Sequence, residues 1–412
     1  MLLQFKFANY RSFADETVFD MTAASIREHK KSLIEKNGVN MLPVAAFYGA
    51  NASGKSSFFQ AFYAMCSIVT NVSIDKKNGQ NSLEANMMPF AFEPAYADKP
   101  TEYEVCFVRG DYEYRYGFEH NREKIICEYL YRKKFSKNKT IEKMIYERVE
   151  NKVESNASSK LKDEINYCAS MCVNHSLLLT DLGKRGKIEE FRAIYTWFYA
   201  SAFDFLLNIS SVDFLLESMA KPVFVENTPA PDLSKIMVSL VTEIDRSIIA
   251  IRPVKRETGE GYVLESVHKV GKDEIKMPIA IESDGTKQLL AISFYFLGAI
   301  LAGSYCFIDE LDLRLHPLLL RKIVHMFKDK DVNKNGAQLI FSAHNIINLD
   351  SSDLRRDEIW FVEKNNHKST IFSLYDYEDE DGGDIRSDLD FGKHYLLGRF
   401  GAIPFQNKDG DE

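Results

Sequence analysis

The run Gly49-Ala50-Asn51-Ala52-Ser53-Gly54-Lys55-Ser56-Ser57 constrains this chain more than any other stretch. It has the spacing of a phosphate-binding loop: a glycine, four residues, then Gly-Lys-Ser/Thr. Pro43 to Tyr48 before it reads as a short buried strand. Ser56 to Ala64 after it reads as a helix with Phe58, Phe59 and Phe62 on its apolar face. In that strand–loop–helix order, glycines let the backbone wrap an anion and successive N–H groups at the helix start attract negative charge. On this reading Lys55 reaches the β- and γ-phosphates of ATP, and the Ser56 hydroxyl holds Mg²⁺. Gly49, Asn51, Ser53, Gly54 and Ser57 complete the nucleotide cradle. The competing reading, a Gly-rich turn with no ligand, does not account for the flanking strand and helix.

A chain of 412 residues has room for two or three domains, or for one large domain carrying an insertion. Its net charge of −8 argues against a uniformly basic nucleic-acid binder and leaves a local basic patch open. Six cysteines without zinc spacing suit a reducing, cytoplasmic setting. Cys168, Cys172 and His175 come nearest to a metal cluster, but Cys168 and Cys172 are one-turn neighbours on a helix and read as core. Met1 to Phe7 alternates like a strand rather than a cleavable signal. Leu289 to Gly303 is strongly apolar but shorter than the ~18 residues of a membrane span, so a buried helix and no membrane are expected.

The first strand leads into Asn9-Tyr10-Arg11-Ser12-Phe13, with Thr17 to Met21 as its hairpin partner. Arg11 is either a surface arginine or a nucleotide contact. Glu102 to Val108, Tyr112 to Phe118 and Ile125 to Phe135 alternate with short turns between them and predict an antiparallel meander. The row Tyr112, Tyr114, Tyr116 and Phe118 is its inner face, or else a base-stacking platform. From 136 to 162 the composition turns to Lys, Glu, Asn and Ser and predicts exposed connection. Basic clusters at Arg132–Lys139 and Lys184–Lys187 are solvated surface or a nucleic-acid contact. Phe191, Ile194, Tyr195, Phe198, Ala202 and Phe205 form a helical stripe, and Leu233 to Ile244 gives a short seam of nearly heptad spacing.

Tyr305 to Ile308 is an apolar strand ending in Asp309 and Glu310. Asp309 at its end would bind Mg²⁺, and Glu310 would orient or deprotonate an attacking water. Gln338 to Phe341 is a second such strand, ending in Ser342-Ala343-His344-Asn345. Upstream lies Glu282-Ser283-Asp284-Gly285-Thr286, and downstream of the acids come Asp312 and His316-Pro317.

Taken in chain order, these residues resemble the ABC-type ATPases, with phosphate loop, signature helix, acidic strand, D-loop and switch histidine in sequence. That resemblance implies that Ser283 and Gly285 contact the γ-phosphate held by a second subunit. It also places Asp312 in the D-loop and makes His344 the γ-phosphate sensor. Asp284 stands where transporter-type signatures carry glycine, and no Q-loop glutamine is identifiable near its expected place, Pro89 to Phe92. Asn9–Phe13, Glu282–Thr286, Asp309–Pro317, Phe341–Asn345 and the tail Tyr395–Pro404 look like the ATPases related to the OLD nucleases. Within that group the chain is most similar to stand-alone RloA-like ATPases of bacterial restriction and phage-defence loci. The chain after His344 is short for the metal-dependent Toprim domain of such nucleases, and Asp376 to Asp384 reads as a solvated acidic loop. Cleavage is therefore expected of a separate polypeptide.

The expected architecture is an α/β, ABC-type P-loop ATPase core, a mixed sheet with helices plus an antiparallel β meander, carrying a mostly helical insertion. Residues 1–135 would form the first half of the core, 136–250 the helical insertion or arm, and 251–412 the second half. The expected protein is an ATP-hydrolysing homodimer that controls a nuclease effector or acts on DNA. Two alternatives stay open: a nucleotide-dependent scaffold with little turnover, and an SMC-type DNA-repair ATPase, against which the shortness of the 233–244 seam speaks.

Overall fold

The computed structural model describes residues 1–71, 81–138, 140–201, 239–242, 245–255, 262–313, 315–377, 385 and 389–403. The loop-bearing sheet has five strands, built from β5 (Val44–Tyr48), β14 (Tyr305–Ile308), β15 (Gln338–Ser342), β16 (Ile359–Asn365) and β17 (Lys368–Ser373), in the order β14-β15-β5-β16-β17. The first four run parallel and β17 closes the edge antiparallel to β16. Every residue of β5, β14 and β15 is buried. Their near-continuous apolar composition follows, because a parallel sheet is covered on both faces.

The two-residue period of β5 assigns its side chains to two cores. Ala45 and Phe47 face one layer, together with Phe307 of β14 and Phe58 and Phe62 of helix α1 (Lys55–Thr70). Phe62 stacks on Phe307 with centroids 4.2 Å apart, and Phe47 on Phe58 at 4.5 Å. Val44, Ala46 and Tyr48 face the opposite layer, which is filled by the two long helices of the second half of the chain.

Above α1 lies a seven-stranded antiparallel sheet, in order β10 (Lys152–Glu154), β9 (Lys143–Val149), β8 (Ile125–Lys134), β7 (Tyr112–His120), β6 (Thr101–Arg109), β1 (Leu2–Ala8) and β2 (Thr17–Asp20). It joins β1 and β2 to the meander β6, β7 and β8. Tyr114, Tyr116 and Phe118 are buried there and form the sheet's inner face, whereas Tyr112 at the start of the row is exposed. The meander is longer than expected. Within the polar stretch 136–162, β9 (Lys143–Val149) and β10 (Lys152–Glu154) pair onto β8 and replace the exposed connection expected there. A hairpin of β3 (Ile34–Lys36) and β4 (Val39–Met41) precedes the loop strand, and short helices α2 (Ser82–Asn86) and α3 (Pro94–Ala97) precede β6.

Helices α4 (Ser159–Met171), α5 (Leu178–Arg185) and α6 (Glu189–Trp197) follow, as the stripe Phe191, Ile194, Tyr195 and Phe198 predicts. They are not a projecting arm in this part of the chain. Their apolar residues belong to the same core as α1 and the meander, where Trp197 stacks on Phe107 at 4.2 Å. Glu128, fully buried on β8, ties this layer together. Its carboxylate accepts the N–H groups of Leu178 and Leu179 at the start of α5 (2.7 and 2.9 Å) and the hydroxyl of Tyr146 (2.8 Å). Cys168 is buried in this core, and among the described residues no group of three His, Cys, Asp or Glu side chains could hold a metal. Ala202, Phe205 and most of the 233–244 seam fall outside the described residues.

A three-stranded sheet, β11 (Ile248–Lys255), β12 (Tyr262–Val270) and β13 (Asp273–Pro278), leads to α7 (Asp284–Ala302). This helix has 19 residues because the Asp284-Gly285-Thr286 turn continues into the apolar run. By length and composition alone it could cross a membrane, yet 67% of its apolar window is buried against β5, β14 and α8 (Pro317–Lys328), as in a core helix. The last element is α9 (Phe391–Leu396).

Candidate nucleotide-binding site

Three parallel strands end together, and each delivers one part of the site. After β5 the chain turns through Gly49 and Gly54 into α1. A Cβ on Gly49 would lie 2.4 Å from the Val362 carbonyl oxygen, and one on Gly54 2.4 Å from Ser369 Oγ. Gly54 also has φ +117, which side chains rarely adopt, so glycine is required there on both counts. Ser369 on β17 clamps the turn, its hydroxyl donating to the Ser53 carbonyl at 2.6 Å.

Lys55 is buried, and its ammonium donates to the carbonyls of Gly49 (2.7 Å) and Ala50 (3.1 Å). Burial pulls its pKa down, while the carboxylates of Asp309, Glu310 and Asp312 oppose that shift. The acids therefore stand close enough to act on the lysine, although β15 lies between their strand and β5.

At the end of β14, Ser342 of β15 holds both acids. Its hydroxyl donates to Asp309 Oδ1 (2.5 Å) and accepts the N–H of Glu310 (2.7 Å). Glu310 has φ +53, a left-handed conformation that turns its side chain out of the strand line at a cost in strain. Glu310 Oε1 lies 3.5 Å from His344 Nε2, at the end of β15. Asp312 does not line the cavity. Its Oδ2 accepts the N–H groups of His344 and Asn345, both at 2.7 Å, and so fixes the histidine loop against the acidic one.

Gly49 through Ser57, Glu310 and His344 line one open cavity of about 950 Å³. Sequence reasoning missed further lining residues: Ser12, Leu313, Lys364, Tyr395 and Leu396. Of the early turn, Ser12 and not Arg11 enters the wall. Arg11 is exposed, with its backbone N–H on the Met88 carbonyl (2.6 Å) beside the Pro89–Phe92 stretch. Ser283 and Gly285 are absent from this cavity. Ser283 caps α7 by accepting the N–H of Thr286 at 3.1 Å, and a Cβ on Gly285 would meet only Ser283 Oγ at 3.8 Å, leaving that helix start open. Of the acidic run 376–384, Asp376 accepts from the Ser373 hydroxyl at 2.7 Å, and residues 378–384 lie outside the described residues.

The residues fit a nucleotide and its Mg²⁺. The buried hydroxyls of Ser12 and Ser53 have no hydrogen-bond partner among the described residues, which is uncommon for buried polar atoms and is relieved by a polar ligand. Ser56 on the cavity wall supplies a hard oxygen donor of the kind Mg²⁺ takes alongside phosphate and water, while Asp309, hydrogen-bonded to Ser342, stands behind that wall and not on it.

The family model described as "AAA domain, putative AbiEii toxin, Type IV TA system" matches residues 44–164 and 188–351. The chain belongs to that family. Its match opens on β5 and extends past His344, so it spans all three strand ends of the site. No curated protein matches this chain of the AAA-domain family. Among solved structures it is similar to an Smc head bound to the C-winged helix domain of ScpA (14% identity, 90% of this chain and 97% of that one, TM-score 0.43). It is also similar to the Smc head with an extended coiled coil bound to the C-terminal domain of ScpA from Pyrococcus furiosus (14%, 90% and 96%, TM-score 0.42). The SMC head domain from Thermotoga maritima matches at 14% identity over 90% of this chain and 98% of that one, TM-score 0.40. Likenesses this distant transfer neither a partner nor a subunit arrangement.

Proposed function

We propose that this protein is a cytoplasmic ATPase that binds ATP and Mg²⁺ and hydrolyses ATP at a site completed by a second copy of the chain. The observation that carries this reading is the single cavity in which Lys55, Ser56, Glu310 and His344 meet. Lys55 leaves its loop carbonyls to neutralise the β- and γ-phosphates, and Ser12, Ser53 and the loop N–H groups hold the phosphate oxygens. Ser56 and Asp309 hold Mg²⁺, which offsets phosphate charge when bound. Glu310 accepts a proton from the attacking water, with His344 beside it to contact the γ-phosphate.

Two features support a second copy. The signature Ser283 and Gly285 stand at an open helix start outside the cavity. Exposed apolar side chains also line the cavity, with Leu313 at 70% and Leu396 at 65% exposure, a pattern that marks interaction surfaces. Closure of the dimer around ATP would bias a conformational equilibrium that controls a nuclease or other DNA-directed effector. The phage-defence setting, and grouping with the OLD- and RloA-like ATPases, rest on the motif resemblance alone.

Complementation tests the shared site. Lys55→Ala and Gly285→Glu proteins should each be inactive, the second through repulsion of the γ-phosphate. A mixed dimer carries both lesions in one composite site and leaves the other intact, so mixing should restore hydrolysis while dimer formation is followed in the same sample. A strictly monomeric wild type that hydrolyses ATP at a concentration-independent specific rate would refute the shared site.

A further inference from the structure

The sequence singles out two basic clusters, and the structure pairs three of their cations with carboxylates. Arg132 lies 2.6 Å from Glu190, Lys133 2.8 Å from Glu113, and Arg185 3.5 Å from Asp181. A different set of cations has no such partner. Residues 27–32 and the start of the 329–336 loop form a cleft of about 920 Å³ whose wall includes Arg27, Lys30, Lys31 and Lys330. A second cleft shares Ser32, Lys328, Asp329 and Lys330 with it and adds Lys36 and Lys334. Arg27, Lys30, Lys31, Lys330 and Lys334 are exposed and Lys36 is half-buried. None of these six makes an ion pair among the described residues.

Several nearby acids are occupied elsewhere, while Asp329 stays exposed on the wall of both clefts and Glu35 on the second. Glu28, between Arg27 and Lys30, is held by Arg356 Nε at 2.9 Å. Asp353 is taken by Arg321 (2.6 Å) and His325 (3.0 Å). Asp329 accepts the N–H of Asp331 at 2.8 Å. Arg355, fully buried, donates to the carbonyls of Glu28 (2.5 Å) and Ala24 (3.1 Å) and pins the basic segment to the core. Six cations without an ion pair among the described residues, set against the exposed carboxylates of Asp329 and Glu35, still make a local positive field on a chain of net charge −8.

The position is equally defined. The 329–336 loop leads into the start of β15, and Arg355 and Arg356 stand just before β16. The cleft therefore lies at the amino ends of the parallel strands, opposite the carboxyl ends that form the nucleotide cavity.

We propose that this basic cleft binds the phosphate backbone of double-stranded DNA, a site separate from the nucleotide cavity and independent of the reading given for it. No Phe, Tyr or Trp lines the larger cleft, so it offers no stacking platform of the kind single strands use. It also lacks exposed apolar side chains to enter a lipid surface. Lysines and an arginine along a concave wall meet phosphates without reading bases.

The test is fluorescence anisotropy of the full-length protein, without nucleotide, on a labelled random-sequence duplex of about 30 base pairs, titrated between ~50 and ~200 mM salt. The quadruple variant R27A/K30A/K31A/K330A should weaken binding at least roughly tenfold and lower the log–log salt slope by roughly three. Replacing Lys30, Lys31 and Lys330 by Arg should keep both, and neutralising Arg132 and Lys133 should leave the slope unchanged. Retained ATP binding by the quadruple variant reports that it is folded, and loss of ATP binding in wild type would bear on the nucleotide site alone. The proposal is overturned by an unchanged slope in the quadruple variant, by an equal loss in the Arg132/Lys133 control, or by binding to phosphatidylserine vesicles without binding to duplex.

Discussion

The carbonyl oxygen of Ala402 accepts the backbone N–H of Ala50 at 2.9 Å, so the tail of the described chain is hydrogen-bonded to the phosphate loop. The same oxygen accepts the Tyr395 hydroxyl at 3.0 Å, and the Tyr395 ring stacks on Phe361 of β16 at 5.3 Å. Ala402 has φ +54, a strained conformation for a side-chain-bearing residue, held in place by these contacts and by buried Phe400.

This latch predicts that the tail tunes nucleotide affinity without supplying catalysis. Tyr395→Phe keeps the stacking and removes one hydrogen bond, about 1 kcal/mol, so ATP affinity should fall by about fivefold with the fold intact. Calorimetric titration of wild type and variant checks it. Identical affinities would show that the loop keeps its shape without the Tyr395 contact.

A pH dependence follows from His120. It is fully buried on β7, its Nδ1–H donates to the Asn121 carbonyl at 3.0 Å, and Nε2 has no hydrogen-bond partner among the described residues. Burial pushes its pKa down to about 4. Between the ordinary value near 6.5 and that point, the unfolded chain binds a proton that the folded chain refuses. Stability should therefore fall as pH drops through this window, by up to ~1.4 kcal/mol per unit and ~3 kcal/mol in all. His120→Phe, placed among Tyr103 and Phe118, removes the titration. Urea midpoints at about pH 7 and about pH 5 should differ less in the variant than in wild type. An equal difference in both proteins would assign the acid sensitivity to other groups.

The parts of the site that were legible in sequence share one form: a short apolar strand ending in polar residues. Lys55, Glu310 and His344 each follow such a strand, and parallel pairing places all three at one end of the sheet. Ser12, Lys364 and Tyr395 arrive from a turn, the last residues of β16 and the tail, where no period points to a shared cavity. The strands β9 and β10 were hidden for a different reason. Lys143 to Val149 buries only Ile145, Tyr146 and Arg148, so its charged composition masks a strand specified by pairing with β8. The basic clusters stayed ambiguous in sequence because the carboxylates that pair with Arg132 and Lys133 come from other elements of the fold.

Ser342 fixes Asp309 and Glu310 by one hydroxyl, which separates their roles: Asp309 is hydrogen-bonded in place and Glu310 is turned toward His344. The most direct measurement of the central claim is steady-state phosphate release at saturating Mg²⁺-ATP by wild type and Glu310→Gln, with nucleotide binding followed in the same preparations. Glutamine keeps the shape but cannot take a proton from water, so binding should persist while the rate falls by roughly 10²–10⁴-fold. An unchanged rate in Glu310→Gln would contradict the account and remove Glu310 from the role of base.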